Sequence, residues 1–181
     1  MDFLLEPPHG VGPLRIGMPR DAADGALLSL REPSAVSASD QPGQHVFRPS
    51  GLMVSIHSMR GELLAVELGR PTTAADRVLF RDVDVFGLPA REVVRRIRAY
   101  TPVVEDADDP DCFRAPDLLL GFWRPYAVEE DEPADEPGHF FSSVLLARPG
   151  YYDTPAEAEA RLRAAAAATA SGEEREAGIP S

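Results

Sequence analysis

Apolar positions along this chain follow two kinds of period, and the two kinds occur in the same order twice. In the first stretch, Ala22, Ala23, Ala26, Leu27 and Leu30 recur at helical spacing behind Gly17-Met18-Pro19-Arg20. Leu52, Val54 and Ile56 then alternate with Met53, Ser55 and His57, and Leu64, Val66 and Leu68 alternate again before Gly69-Arg70-Pro71. A period near 3.6 marks one face of a helix, and a period of two marks one face of a strand. Pro19 suits a first helical position, where its missing N–H has no partner to lose. The spacing therefore predicts a short strand over 14–18, a helix over 19–30 weakened by Gly25, and a hairpin turning at Ser58-Met59-Arg60-Gly61. Residues 31–44, rich in Ser, Pro, Gly and Asp, read as loop.

The second stretch repeats the order. Arg81-Asp82-Val83-Asp84-Val85-Phe86 alternates as a strand, and Gly87-Leu88-Pro89-Ala90 opens a helix with Val93, Val94, Ile97 and Tyr100 on its apolar stripe. Leu118, Leu120 and Phe122 then take the inward positions of a strand, and Val144 and Leu146 those of the next, before Arg148-Pro149. The offset between copies is 70 at Gly-x-Pro, 66 at Phe47-Arg48 against Phe113-Arg114, and 78 at the closing Arg-Pro. A repeat of this kind is weighed before any single residue, because it fixes the expected architecture. The expectation is an α+β fold: two tandem units of a helix plus an antiparallel β-hairpin or meander, at about 12–71 and 82–150, forming one domain over 1–153. Thr154-Pro155-Ala156-Glu157 has the form of a capping box ahead of an alanine-rich run, so an added C-terminal helix is expected over 154–171 and a disordered tail over 172–181.

Charge narrows the partners. The chain of 181 residues has 30 acidic residues against 18 basic ones, all arginine, for a net −12. Residues 1–75 carry a net −2, 76–150 a net −7 and 151–181 a net −3. Such a surface repels nucleic-acid phosphates, even with Arg91, Arg95, Arg96 and Arg98 gathered on one helix. No apolar run approaches the ~20 residues of a bilayer span. The opening Met1-Asp2-Phe3-Leu4-Leu5 has no basic segment of the kind that starts a secretory signal, so a cytoplasmic, soluble protein without membrane contact is expected.

Candidate chemistry is sparse. The acidic run Glu105–Asp111 fails as an EF-hand loop, because Pro110 takes a ligand position and the turn glycine is missing. It reads as a solvated loop. The histidines His9, His45, His57 and His139 stand apart from one another, and Cys112 lies among carboxylates that raise a thiol pKa. No P-loop, nucleophile elbow or dinucleotide fingerprint is present. No catalytic residue, metal or cofactor is expected. The aromatics are more suggestive. Trp123 and Tyr126 end one strand, Tyr151 and Tyr152 follow the strand that pairs with it, and Glu129, Glu130, Asp131 and Glu132 open the loop between. Aromatic anchors with a charged rim are the make-up of a protein-binding hot spot.

Ile16-Gly17-Met18-Pro19-Arg20 resembles the strand-to-helix segment of the β-lactamase-inhibitor-protein family and of small outer-membrane-assembly lipoproteins. The doubled helix-and-sheet plan is similar to the former. The Gly12-Pro13-Leu14 opening and Pro149-Gly150-Tyr151-Tyr152-Asp153 also resemble cytoplasmic immunity-type proteins of high-GC bacteria. The inhibitor family's paired cysteines are missing, and Leu88-Pro89 stands where its second repeat has Met-Thr, so β-lactamase inhibition is not carried over. The likeness implies a scaffold that grips other proteins. The functional expectation is a non-enzymatic protein, an immunity protein or intracellular inhibitor, that blocks a basic toxin or enzyme through the acidic, aromatic-edged surface. The alternatives are a structural or regulatory subunit docking by its alanine-rich helix, and an enzyme with dispersed Asp, Glu and His between the units.

Overall fold

A computed structural model describes residues 1–30, 36–38, 43–107, 109–128, 132–133 and 136–151. The chain divides into two compact units, Met1–Arg148 and Pro149–Ser181, and every described helix and strand belongs to the first. The expected helix over 154–171 and tail over 172–181 lie outside the described residues.

The first half runs β1 (Asp2–Glu6), β2 (Gly10–Val11), β3 (Leu14–Arg15), α1 (Arg20–Ser29), β4 (Val36–Ala38), β5 (Gln44–Phe47), β6 (Leu52–Met59) and β7 (Glu62–Gly69). The second runs β8 (Arg77–Phe80), β9 (Val83–Asp84), α2 (Ala90–Ile97), β10 (Val104–Glu105), β11 (Cys112–Ala115), β12 (Leu120–Trp123) and β13 (Ser143–Ala147). These strands build a five-stranded sheet in the order β3-β2-β1-β8-β9 and an eight-stranded sheet in the order β10-β11-β12-β13-β7-β6-β5-β4.

The α+β expectation of helix-plus-hairpin units is thus overturned: the fold is mostly β, two large sheets with two short α-helices among the described residues. The sheets do not stop at the boundary between the halves. In the large one β7 pairs with β13, Val66 opposite Leu146 and Leu68 opposite Val144. In the small one β1 lies parallel to β8, Phe3 opposite Val78. The short strands β2, β3 and β9 pair with near neighbours in the sequence, Val11 with Leu14 and Phe80 with Val83, and a two-residue run shows no period of its own.

Other elements differ locally. Of the strand expected over 81–86 only Val83–Asp84 forms one, β9: Arg81-Asp82 is the turn that joins it to β8, and there Arg81 adopts φ 55°, its guanidinium 4.2 Å over the Tyr100 ring. Leu118 sits in a 3₁₀ turn over Pro116–Leu118 and Leu119 is left-handed at φ 56°, so β12 begins only at Leu120. The loop expected over 31–44 contains β4.

The helices follow their apolar stripes. Pro19 and Pro89 precede α1 and α2 as N-caps, and neither helix has a side-chain cap. The strand β7 holds the approach to α1 instead: Gly17 N donates to Leu63 O (2.8 Å), Leu63 N to Met18 O (2.9 Å) and Arg20 N to Gly61 O (2.9 Å). The helix α1 buries Ala23 and Leu27, and α2 buries Ala90, Val93, Val94 and Ile97. On the wet side of α2, Glu92 bonds Arg95 and Arg96 at 2.6 Å, which holds its carboxyl down to about 2.

One core joins the layers. Phe3 of β1 meets Phe47 of β5 edge-on at 5.4 Å between ring centres, and Phe141 meets Phe113 and Phe122 at 5.6 and 5.2 Å. Close approach restricts the N-terminal hairpin: a Cβ on Gly10 would lie 1.9 Å from the Leu14 carbonyl oxygen, so only glycine fits there.

Leu146→Ala, at the buried seam between the halves, is expected to cost about 2–5 kcal/mol in urea unfolding, whereas Leu4→Ala, on a half-exposed side chain, should stay within about 0.5 kcal/mol. Because the folded carboxyl of Glu92 is depressed from 4.5 to about 2, its stabilisation is present above the unfolded value and is lost as pH falls towards 2. Thermal unfolding followed by circular dichroism between pH 5 and 2 should therefore be less pH-dependent in Glu92→Gln than in the parent protein.

Candidate functional site

Antiparallel pairing decides where the sequence-proposed aromatics stand. Along β12 the alternation buries Leu120 and Phe122 in the core and turns Trp123 to the opposite face, where it is 43% exposed. Its cross-strand neighbours are Cys112 on β11 and Ser143 on β13, with Gly69 and Met53 beyond on β7 and β6. Its carbonyl accepts a hydrogen bond from Ser142 N at 2.8 Å. Three residues on, Tyr126 is 42% exposed and its hydroxyl donates to Glu136 Oε1 at 2.5 Å. That bond to a carboxylate favours the protonated phenol and raises the Tyr126 pKa. Behind it Gly138 is buried, and a Cβ there would come within 2.6 Å of the Tyr126 carbonyl oxygen, so the ring's seat needs glycine.

The same register brings two acidic loops to one end of the large sheet. Cys112 opens β11 and is paired with Trp123, which closes β12. The segment before β11 and the segment after β12 therefore leave together. Arg124 ties them, its backbone N donating to Asp111 O (3.0 Å) and its Nε to Asp111 Oδ1 (2.9 Å), while its guanidinium lies 5.3 Å from the Phe113 ring centre. In the loop over 105–111, Glu105, Ala107, Asp109 and Pro110 are exposed, as expected of a solvated loop, while Asp106 is ion-paired to Arg114 and Asp111 to Arg124, each partly covered. Cys112 is half-buried beside it, and burial, then Asp109, push its thiol up, away from nucleophilic use.

Of the residues singled out in the sequence, the structure places Trp123 and Tyr126 on this end, with Glu132 exposed in the same connection. Glu129, Glu130, Asp131 and Tyr152 lie outside the described residues, and Tyr151 belongs to the second unit. Two features were missed. The Arg70 guanidinium stacks 4.0 Å over the ring of Phe140, in the acidic connection itself. On the face that carries Trp123, His57 Nε2 lies 3.6 Å from Glu67 Oε2, and bonding to His57 lowers the Glu67 pKa against the effect of burial. The register of the expected β6–β7 hairpin, which shifts between His57 and Ser58, is what discloses that second pair, since Ser55 stands opposite Glu67 and His57 is its diagonal neighbour.

The remaining polar contacts bind elements together. His45, on β5, lies with Nε2 2.8 Å from Asp24 Oδ1 of α1 and ties helix to sheet from a buried position. Among the described residues there is no group of three or more His, Cys, Asp or Glu able to hold a metal ion. None of the described helices is long and apolar enough to cross a membrane. No protein family, curated protein or solved structure matches this chain.

Removing the acceptor at the acidic end has a spectroscopic consequence. In Glu136→Gln, the phenol of Tyr126 loses its carboxylate partner, and its ionisation, followed by tyrosinate absorbance, is expected to move down towards the ordinary tyrosine value of 10.0. The parent protein, titrated in parallel, serves as the reference.

Proposed function

We propose that this protein is a non-enzymatic binder of another protein, an immunity protein or intracellular inhibitor acting in the cytoplasm on a basic toxin or enzyme. The observation that carries the reading is the convergence at one end of the large sheet: exposed Trp123 and Tyr126 between two segments rich in carboxylates. Indole and phenol rings offer large contact area at little rotamer cost, and each is held from below, Trp123 by the β12 ladder and Tyr126 by Glu136. The carboxylates around them supply long-range attraction for a cationic partner, raising the association rate more than the affinity. The rings supply the desolvated centre.

The experiment is affinity capture from the source cell with the parent protein, with Trp123→Ala, and with a variant in which Glu129, Glu130, Asp131 and Glu132 become Gln or Asn. The reading expects a captured protein of basic isoelectric point. Loss of the indole should weaken its binding by about 2 kcal/mol or more, roughly thirtyfold. Neutralising the loop should slow association and flatten its salt dependence. Equal recovery of the same partner by all three proteins would count against this surface.

A further inference from the structure

A cleft of about 210 Å³ is lined by the segment from Arg70 to Ala74, by Asp76 and Arg77, and by Asp84, Phe86 and Gly87. Its floor is rigid by construction. The Ser50 carbonyl accepts bonds from Thr72 N (2.7 Å), Thr72 Oγ1 (2.8 Å) and Thr73 N (3.3 Å), and the Ser50 hydroxyl donates to the buried carboxylate of Asp76. The far wall is an Asx-type turn in which Asp84 Oδ1 accepts Phe86 N (3.3 Å) and Gly87 N (2.9 Å). A Cβ on Gly87 would lie 2.6 Å from Asp84 Oδ2, so glycine is what lets that carboxylate sit against the wall.

The charges in this cleft are unevenly committed. Arg77 is spent on Asp2, bonding both carboxylate oxygens at 3.0 and 2.7 Å. Arg70 is not. Its backbone is anchored through Ser142 O (2.8 Å) and its guanidinium rests on Phe140, yet among the described residues no carboxylate lies within salt-bridge distance of it. Burial alone lowers its pKa, the mark of a guanidinium that has lost water without gaining a counter-ion. Opposite in sign, Asp84 uses only Oδ1 in hydrogen bonds; among the described residues Oδ2 accepts none, and the nearby charge it feels is that of Arg77. A partly desolvated cation without a partner is costly, and in a chain of net −12 an arginine left so is conspicuous.

A simple anion would meet Asp84 in this space, and a simple cation would meet Arg70. We propose that the cleft binds a small zwitterion, a free amino acid in the broad sense, with its carboxylate on Arg70 and its ammonium on Asp84. The planar fork of a guanidinium suits a carboxylate, and an ammonium is a compact donor for the open Oδ2. At about 210 Å³ the cleft is of small-molecule size. This inference stands apart from the protein-binding reading, since it uses neither Trp123 nor Tyr126.

The test is an amide NMR titration with glycine, β-alanine, γ-aminobutyrate and 5-aminovalerate, against butyrate and butylamine as single-charge controls. The proposal expects at least one of the four to saturate, with shifts at the amides of Thr72 to Arg77 and of Phe86 and Gly87. Each control should bind at least about tenfold more weakly, the loss of one charge-assisted bond. Arg70→Gln and Asp84→Asn should each weaken the best ligand by a similar factor. Asn keeps the Oδ1 acceptor, so the turn before α2 is retained, and an unchanged unfolding midpoint checks this. Absence of saturation by all four at about 10 mM, or butyrate or butylamine binding as well as the best amino acid, would overturn it. The control comparison uses the parent protein alone, so it holds whatever the variants do.

Discussion

The pairing of β7 with β13 is the contact on which the rest of the first unit depends. It joins four strands from the first half to four from the second, and it is antiparallel, so each half presents its last strand to the other. The strand order then runs outward from this seam as β7-β6-β5-β4 on one side and β13-β12-β11-β10 on the other. The inward residues at the seam, Val66, Leu68, Val144 and Leu146, are at most 1% exposed. Burying four such side chains contributes on the order of 6–12 kcal/mol before entropy, comparable with the net stability of a whole domain. Neither half could leave these positions in water.

The seam also governs the surface. Because β13 begins where β7 ends, the chain on either side of it, 124–142 and 70–76, emerges at the same end of the sheet. The segment before β11 joins them through the Cys112–Trp123 pair. Two exposed aromatics, two acidic segments and a cleft lined by Arg70 thus share one end of the sheet. Carboxylates there fall into two groups. Asp106, Asp111 and Asp76 are bonded within the fold and maintain its shape. Others, such as exposed Glu132, add to the field that an incoming partner meets.

Legibility in the sequence varied with the reach of the interactions that make each element. The helix α1 begins after Pro19 and α2 after Pro89, as their spacing implied, because helix hydrogen bonds close over four residues. The hairpin of β6 and β7 was equally readable from Leu52, Val54 and Ile56 against Val66 and Leu68. The strand β1 was not readable, since its partner β8 lies some 75 residues away, and no local period announces a parallel pairing of three residues. The break at Arg81-Asp82 was hidden for a different reason. The alternation of 81–86 is intact on paper, but Arg81 turns left-handed and closes over Tyr100, a cost repaid only in the assembled structure.

By itself, then, the sequence determined the inward alternation of β6 and β12, though Ala22 and Tyr100 on its helix stripes stay exposed, together with where the helices start, the sign of the surface and the absence of any familiar catalytic motif. Each follows from local geometry or composition. Tertiary structure alone decided that the halves merge into continuous sheets, and that Arg70 and Asp84 line one cleft. The reason is that backbone donors and acceptors on a strand must be satisfied by whichever strand lies alongside, and that choice is made over the whole core at once.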